Sequence, residues 1–171
     1  MRRLQALVFG LGLVLAASFA TARTPNMAAE WNGAEIDWRD VKSGIYESAK
    51  TGKPAIMVFH ASWCGYCKKY RAVFKDRGVV EASKDFVMIL VDADVDRSTN
   101  SAFAPDGTYV PRTLFIDSKG EVLAKYHGKT DPEYPHTIDI ASPAELRDLM
   151  NKARAELDSG SKPAAAPDDK T

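Results

Sequence analysis

The chain holds two cysteines, Cys64 and Cys67, with Gly65 and Tyr66 between them. Three chemistries use sulfur at this spacing: a structural staple, half of a zinc site, and a redox pair. A staple gains from closing a long loop, because a long loop constrains the unfolded chain more. Two intervening residues make a poor staple. Tetrahedral zinc needs two further ligands, and the chain has no second cysteine pair. His60, His127 and His136 lack paired ligand spacing, so metal binding is not expected. Reversible disulfide formation is the use that remains favoured.

The residues around the pair say which sulfur would act. Ala55-Ile56-Met57-Val58-Phe59 is an apolar run of buried-strand type, and a helix is predicted to start near Cys64 and run through Tyr70, Val73 and Phe74. A first helical turn carries unsatisfied N–H groups and partial positive charge. Sulfur placed there is favoured as thiolate, which makes Cys64 the candidate nucleophile. Cys67 lies one turn on and on the same face, placed to resolve a mixed disulfide.

Other residues have weaker claims. His60 lies four residues before Cys64 and shares a strand face with Val58, so it is a candidate thiolate or proton partner, or else a half-buried structural histidine. Trp63 and Tyr66 are candidates for an apolar rim that holds substrate, or for packing. Lys68, Lys69 and Arg71 read as a solvated helix face that adds positive potential near Cys64. Asp92-Ala93-Asp94-Val95-Asp96 opens like a calcium loop, but Arg97 stands where that loop needs glycine and Phe103 where it needs glutamate. Calcium binding is rejected.

The elements that must position these groups are partly legible. Val41, Ile45 and Ala49 recur at spacing four, giving a helix over 40–51 that Gly52 ends. Phe86-Val87-Met88-Ile89-Leu90-Val91 is a second buried strand, parallel to the first by a right-handed crossover. Thr113–Asp117 and Glu121–Tyr126, joined by Ser118-Lys119-Gly120, read as a hairpin. Ser142-Pro143-Ala144-Glu145 opens a last helix, with an apolar stripe of Leu146, Leu149, Met150, Ala153 and Leu157. Residues 23–35 read as a lead-in, 36–158 as the domain, and 159–171 as a disordered tail.

The first 22 residues read as an export signal. Met1-Arg2-Arg3 precedes an apolar run to about Phe19, and Ala20-Thr21-Ala22 offers small residues for cleavage. The run is short for a spanning helix, and no stable membrane insertion is expected after cleavage. With 23 basic and 23 acidic residues, the 171-residue chain has no basic footprint for nucleic acid. Export fits the cysteines, since disulfides persist outside the cytosol.

Phe59-His60-Ala61-Ser62-Trp63-Cys64-Gly65-Tyr66-Cys67-Lys68 resembles the active-site stretch of thioredoxin-fold proteins. Tyr109-Val110-Pro111-Arg112-Thr113 resembles the loop that carries that fold's cis-proline. Asp37-Trp38-Arg39-Asp40, Gly52-Lys53-Pro54 and Pro105-Asp106-Gly107-Thr108 extend the likeness over about residues 36–157. Together they are most similar to the small endoplasmic-reticulum members, the anterior gradient and thioredoxin domain-containing 12 type. The resemblance implies an α/β thioredoxin fold: a central mixed sheet flanked by helices, with a C-terminal hairpin and then a helix. It implies thiol–disulfide oxidoreductase activity on protein substrates, without a cofactor and with a redox partner protein. It also implies that Pro111 faces the cysteines and that the Val110 backbone binds a substrate strand.

Three departures qualify the resemblance. The chain ends Asp168-Asp169-Lys170-Thr171 in place of an endoplasmic-reticulum retention signal, which favours a bacterial periplasmic location. Thioredoxins bury an acid six residues before the first cysteine, where this chain has Val58. Gly65-Tyr66 replaces the Gly-Pro of reducing thioredoxins and is similar to the pair in the bacterial periplasmic disulfide isomerase. The alternative readings are a dedicated periplasmic reductant, for example in cytochrome c maturation, and a non-enzymatic redox-regulated chaperone or metal carrier.

Overall fold

The computed structural model describes residues 25–161, with side chains through residue 157. Its centre is a pair of parallel strands, β2 (Ala55–His60) and β3 (Val87–Asp92), in register from Ala55 against Val87 to His60 against Asp92. Every residue of β2 is buried, as near-continuous apolar runs require when helices cover both faces of a sheet. The short β1 (Trp38–Arg39) pairs parallel to β3, and β4 (Arg112–Ile116) pairs antiparallel to β2. The sheet order is therefore β1-β3-β2-β4. This is the mixed sheet the resemblance implied.

Alternation along the strands sends side chains into two cores. Ala55, Met57, Phe59, Ile89 and Leu114 face one way, against Val41 and Ile45 of α1 (Val41–Thr51). Ile56, Val58, Met88, Leu90 and Phe115 face the other way, in one cluster with both cysteines and with Leu146, Met150 and Ala153 of α5 (Pro143–Ser161). Asp40 caps α1 by accepting the Ser43 N–H at 2.9 Å, and Gly52 ends it in the left-handed region at φ 75°.

The structure departs from the expected elements in instructive ways. Only Gly44 and Ser48 are buried residues of α1, while Ala49 of the expected stripe is exposed. A Cβ on Gly44 would stand 2.4 Å from Ile89 Cγ1, so a missing side chain sets the approach of helix to sheet. The helix after Cys64 is not continuous. It divides into α2 (Gly65–Tyr70), a 3-10 turn over Val73–Lys75, and α3 (Arg77–Ser83). Asp76, extended at ψ 131°, restarts the chain by accepting the Val79 N–H at 3.1 Å. A further helix, α4 (Arg97–Ala102), had no periodic apolar signal, and none of its residues is buried.

The expected hairpin keeps one arm only. Beyond β4 a single bridge joins Ile116 to Val122. The chain then turns through a Tyr126 N–H bond to the Leu123 carbonyl, burying Tyr126 5.3 Å from the Phe115 ring. Anchoring Tyr126 in the core ends the ladder. The lead-in also differs from expectation. A 3-10 turn over Ala28–Trp31 buries Trp31 completely, with ring centroids 6.5 Å from Trp38, 6.1 Å from Tyr70 and 5.4 Å from Phe74. Helix α5 runs to Ser161, into the stretch expected as tail. The expected signal, residues 1–22, and the tail beyond 161 lie outside the described residues.

Candidate active site

Strand β2 delivers the chain to its carboxyl end, where Ala61 to Trp63 turn into α2. Cys64 is the N-cap residue of α2, extended at φ −71° and ψ 110°. Its sulfur does what a capping oxygen does elsewhere: it accepts the Cys67 N–H, at 3.0 Å. The two cysteines are joined as a disulfide, with Cα atoms 5.2 Å apart. When the bond is reduced, the same N–H favours thiolate over thiol at Cys64. Exposure separates the two sulfur-bearing residues, Cys64 at 3% and Cys67 at 0%.

The loop before β4 forms the opposite wall. The Val110–Pro111 peptide bond is cis, and the Val110 carbonyl oxygen lies 3.6 Å from Cys64 Sγ. That approach is a contact and not a hydrogen bond while the sulfur is oxidised and carries no proton. Thr137 donates its hydroxyl to the Pro111 carbonyl at 2.9 Å, and the Thr113 N–H bonds the His136 carbonyl at 2.8 Å. Tyr109 donates to Asp106 and accepts the His136 N–H at 2.9 Å. Burial pushes the Asp106 carboxyl up, but the Tyr109 hydroxyl and His136 outweigh it and hold it below its ordinary value.

The sequence places Arg112 in the Tyr109-Val110-Pro111-Arg112 motif without revealing its role. Its guanidinium is fully buried and donates to the carbonyls of Asn100, Phe103, Gly107 and Tyr109 and to Asn100 Oδ1. It also lies 4.2 Å from the centre of the Phe59 ring. One side chain thus ties the whole segment 100–109 to the strand that follows Pro111. A basic residue directly after the cis-proline was the available signal. No periodicity rule predicts a buried arginine that bonds almost entirely to carbonyls.

Trp63 and Tyr66 are exposed, at 69% and 64%, on either side of Cys64. With Val110 and Pro111 they line a cavity of about 620 Å³ that opens beside the disulfide. The Trp63 indole N–H donates to Asp94 Oδ2 at 2.7 Å. His60 stands elsewhere. It is 1% exposed, its ring packs 5.4 Å from Trp31, and neither ring nitrogen has a hydrogen-bond partner. Burial lowers its pKa against the pull of Asp92, and Arg71 lowers it further. Its observed contacts are those of a core residue.

Lys68 and Lys69 are exposed, with Lys69 over the Tyr66 ring at 5.6 Å, whereas Arg71 pairs with Glu30 and stacks near Trp31. The aspartates of the calcium-like stretch cap turns: Asp92 takes the Asp94 and Val95 N–H groups, and Asp96 takes that of Thr99. No group of three or more His, Cys, Asp or Glu among the described residues is placed to hold a metal.

A family model described as thioredoxin-like matches residues 37–118, from β1 through the cysteines and the cis-proline to the end of β4. The chain has a thioredoxin-like fold. It is similar to anterior gradient protein 3 of Xenopus tropicalis, 29% identical over 138 residues, covering 77% of this chain and 79% of that protein. It is also similar to protein disulfide-isomerase erp38 of Neurospora crassa, 38% identical over 84 residues, covering 48% of this chain and 22% of that one. A thioredoxin from Thermus thermophilus shares the fold, with a TM-score of 0.55 at 18% identity, over 75% of this chain and 94% of that one. A thioredoxin-like domain whose helix-capping Cys64 closes a disulfide with Cys67 is a thiol–disulfide oxidoreductase.

Proposed function

We propose that this oxidoreductase is exported and exchanges disulfides with extended segments of other polypeptides, with Cys64 as the attacking residue. The observation that carries the reading is the meeting of three features at one sulfur. Cys64 caps α2 and receives the Cys67 N–H, the Val110–Pro111 loop faces it, and the cavity opens beside it.

In the reducing direction the Cys64 thiolate attacks one sulfur of a substrate disulfide. A Cys64–substrate bond forms, the substrate's own S–S bond breaks, and the released thiolate takes a proton from water. Cys67 then loses its proton and attacks Cys64 Sγ. The Cys64–Cys67 disulfide forms and the second substrate thiol leaves, so two electrons have passed to the substrate. The reverse sequence oxidises a substrate dithiol. Val110 and Pro111 support a substrate strand alongside Cys64, and Trp63 and Tyr66 give it apolar contact. No cofactor enters either direction. Export is supported by the Arg2-Arg3 start, the apolar run and Ala20-Thr21-Ala22, and by the persistence of disulfides outside the cytosol. Among the described residues no helix is long and apolar enough to cross a membrane.

The test is intermediate trapping. Cys67→Ala is expected to accumulate mixed disulfides with client proteins, visible on non-reducing gels and lost on reduction. Cys64→Ala is expected to give none. Trapping by Cys64→Ala alone would reverse the roles.

A further inference from the structure

The cavity beside the disulfide has walls of one charge sign. Asp94, Asp131 and Asp139 line it, and none of its lining residues is Lys or Arg. The other lining groups include the aromatic side chains of Trp63, Tyr66, Tyr109 and Tyr134, the last two with ring centroids 4.9 Å apart. Asp94 is held by the Trp63 indole, and Asp131 and Asp139 accept backbone N–H groups of Glu133, Ala141 and Ser142. Among the described residues no cation is paired with any of the three. Lys69 lies over the Tyr66 ring at 5.6 Å, and the buried Arg112 guanidinium bonds Asn100 and the Tyr109 carbonyl behind the wall.

We propose that this groove makes the enzyme selective for polypeptide segments that carry a Lys or Arg side chain beside the reacting cysteine. The inference rests on the disulfide-exchange reading above and names its substrate class. The cavity contains Pro111 and Val110, so a strand lying along that loop presents its neighbouring side chains to these walls. A long basic side chain suits them on two counts. Its methylene stem lies against the tyrosine rings while its charged head reaches an aspartate. The Trp63 face attracts the same cation through its ring quadrupole. An acidic neighbour instead meets three carboxylates at short range.

The asymmetry acts chiefly on encounter, where rim charges change the on-rate and its salt dependence.

The experiment uses the oxidised protein as the only oxidant. Each turnover moves two electrons from a peptide dithiol into the Cys64–Cys67 disulfide, leaving the peptide disulfide and the reduced protein. Three peptides differ only in the residues flanking one cysteine: Lys, Gln or Glu. Each rate is divided by that peptide's rate with neutral hydroxyethyl disulfide, which removes the peptide's own thiolate reactivity. At low salt the Lys peptide is expected to exceed the Glu peptide about tenfold, and the ratio should shrink toward one as salt rises to roughly 0.5 M. The double variant Asp94→Asn with Asp131→Asn keeps the acceptor oxygens and should cut the ratio at least threefold.

Equal rates for the Lys and Glu peptides would overturn the proposal, as would a ratio unmoved by both salt and the double variant. Failure to oxidise even the Gln peptide would instead remove the exchange reading itself, and the selectivity with it.

Discussion

At the scale of single residues, His60 shows how position and partner separate. Its strand register puts it on the face of Val58, but its ring meets Trp31 and finds no hydrogen bond. A histidine buried without a partner stays neutral, because burial disfavours the charged form. The unfolded chain, with an ordinary histidine pKa near 6.5, then binds more protons than the folded one as pH falls. Stability rises with pH up to about that value and is lost below it. Denaturant titrations from pH 7.5 to pH 5 should show this loss, and His60→Phe should flatten it. An identical slope in the variant would assign the acid sensitivity to other groups.

At the scale of elements, helix α1 sets the packing on the sheet and helix α2 sets the sulfur chemistry. Helix α1 approaches β3 at Gly44, where an added Cβ has no room beside Ile89. Gly44→Ala is expected to destabilise the fold by about 1–3 kcal/mol, the usual cost of overpacking. Equilibrium unfolding of the variant measures it, and unchanged stability would show that α1 can shift without cost. Helix α2 sets redox poise, because whatever stabilises the Cys64 thiolate makes the disulfide more oxidising. The Cys67 N–H at Cys64 Sγ and the exposed Lys68 and Lys69 act in that direction. The potential is expected near −200 mV, between about −270 mV for thioredoxin and about −120 mV for the strong periplasmic oxidant. Equilibration with glutathione buffers gives the value. A result at or below that of thioredoxin would favour the dedicated-reductant reading.

At the scale of the whole molecule, the packed body begins before the segment expected as its start. Trp31 is the hub of an aromatic cluster with Trp38, Tyr70 and Phe74, and it accepts the Trp38 indole N–H at its own carbonyl, 2.7 Å away. Trp31→Ala should cost about 3–5 kcal/mol, the range for large aromatic truncations in a core. A chain beginning at residue 37 should show a comparable loss in thermal unfolding. Retention of full stability by that truncated chain would show that the turn over Ala28–Trp31 is dispensable. Because Tyr70 closes α2, the same cluster also braces the helix that Cys64 caps.

The sequence alone determined the redox pair, the two central strands, helices α1 and α5, and the loop around Pro111. These are readable because each rests on local chemistry. Sulfur spacing, apolar runs, a Ser cap, a helix-ending glycine and a Tyr109-Val110-Pro111-Arg112 motif are written within a few consecutive residues. Tertiary structure decided what depends on distant partners. Gly44 faces the sheet because a missing side chain allows close approach, which no hydrophobic count registers. Tyr126 ends the hairpin because the core beside Phe115 holds its ring. Arg112 is buried because carbonyls from four separate residues converge on it. The acidic groove was invisible for the same reason, since Asp94, Asp131 and Asp139 share a wall only after the chain has folded around Pro111.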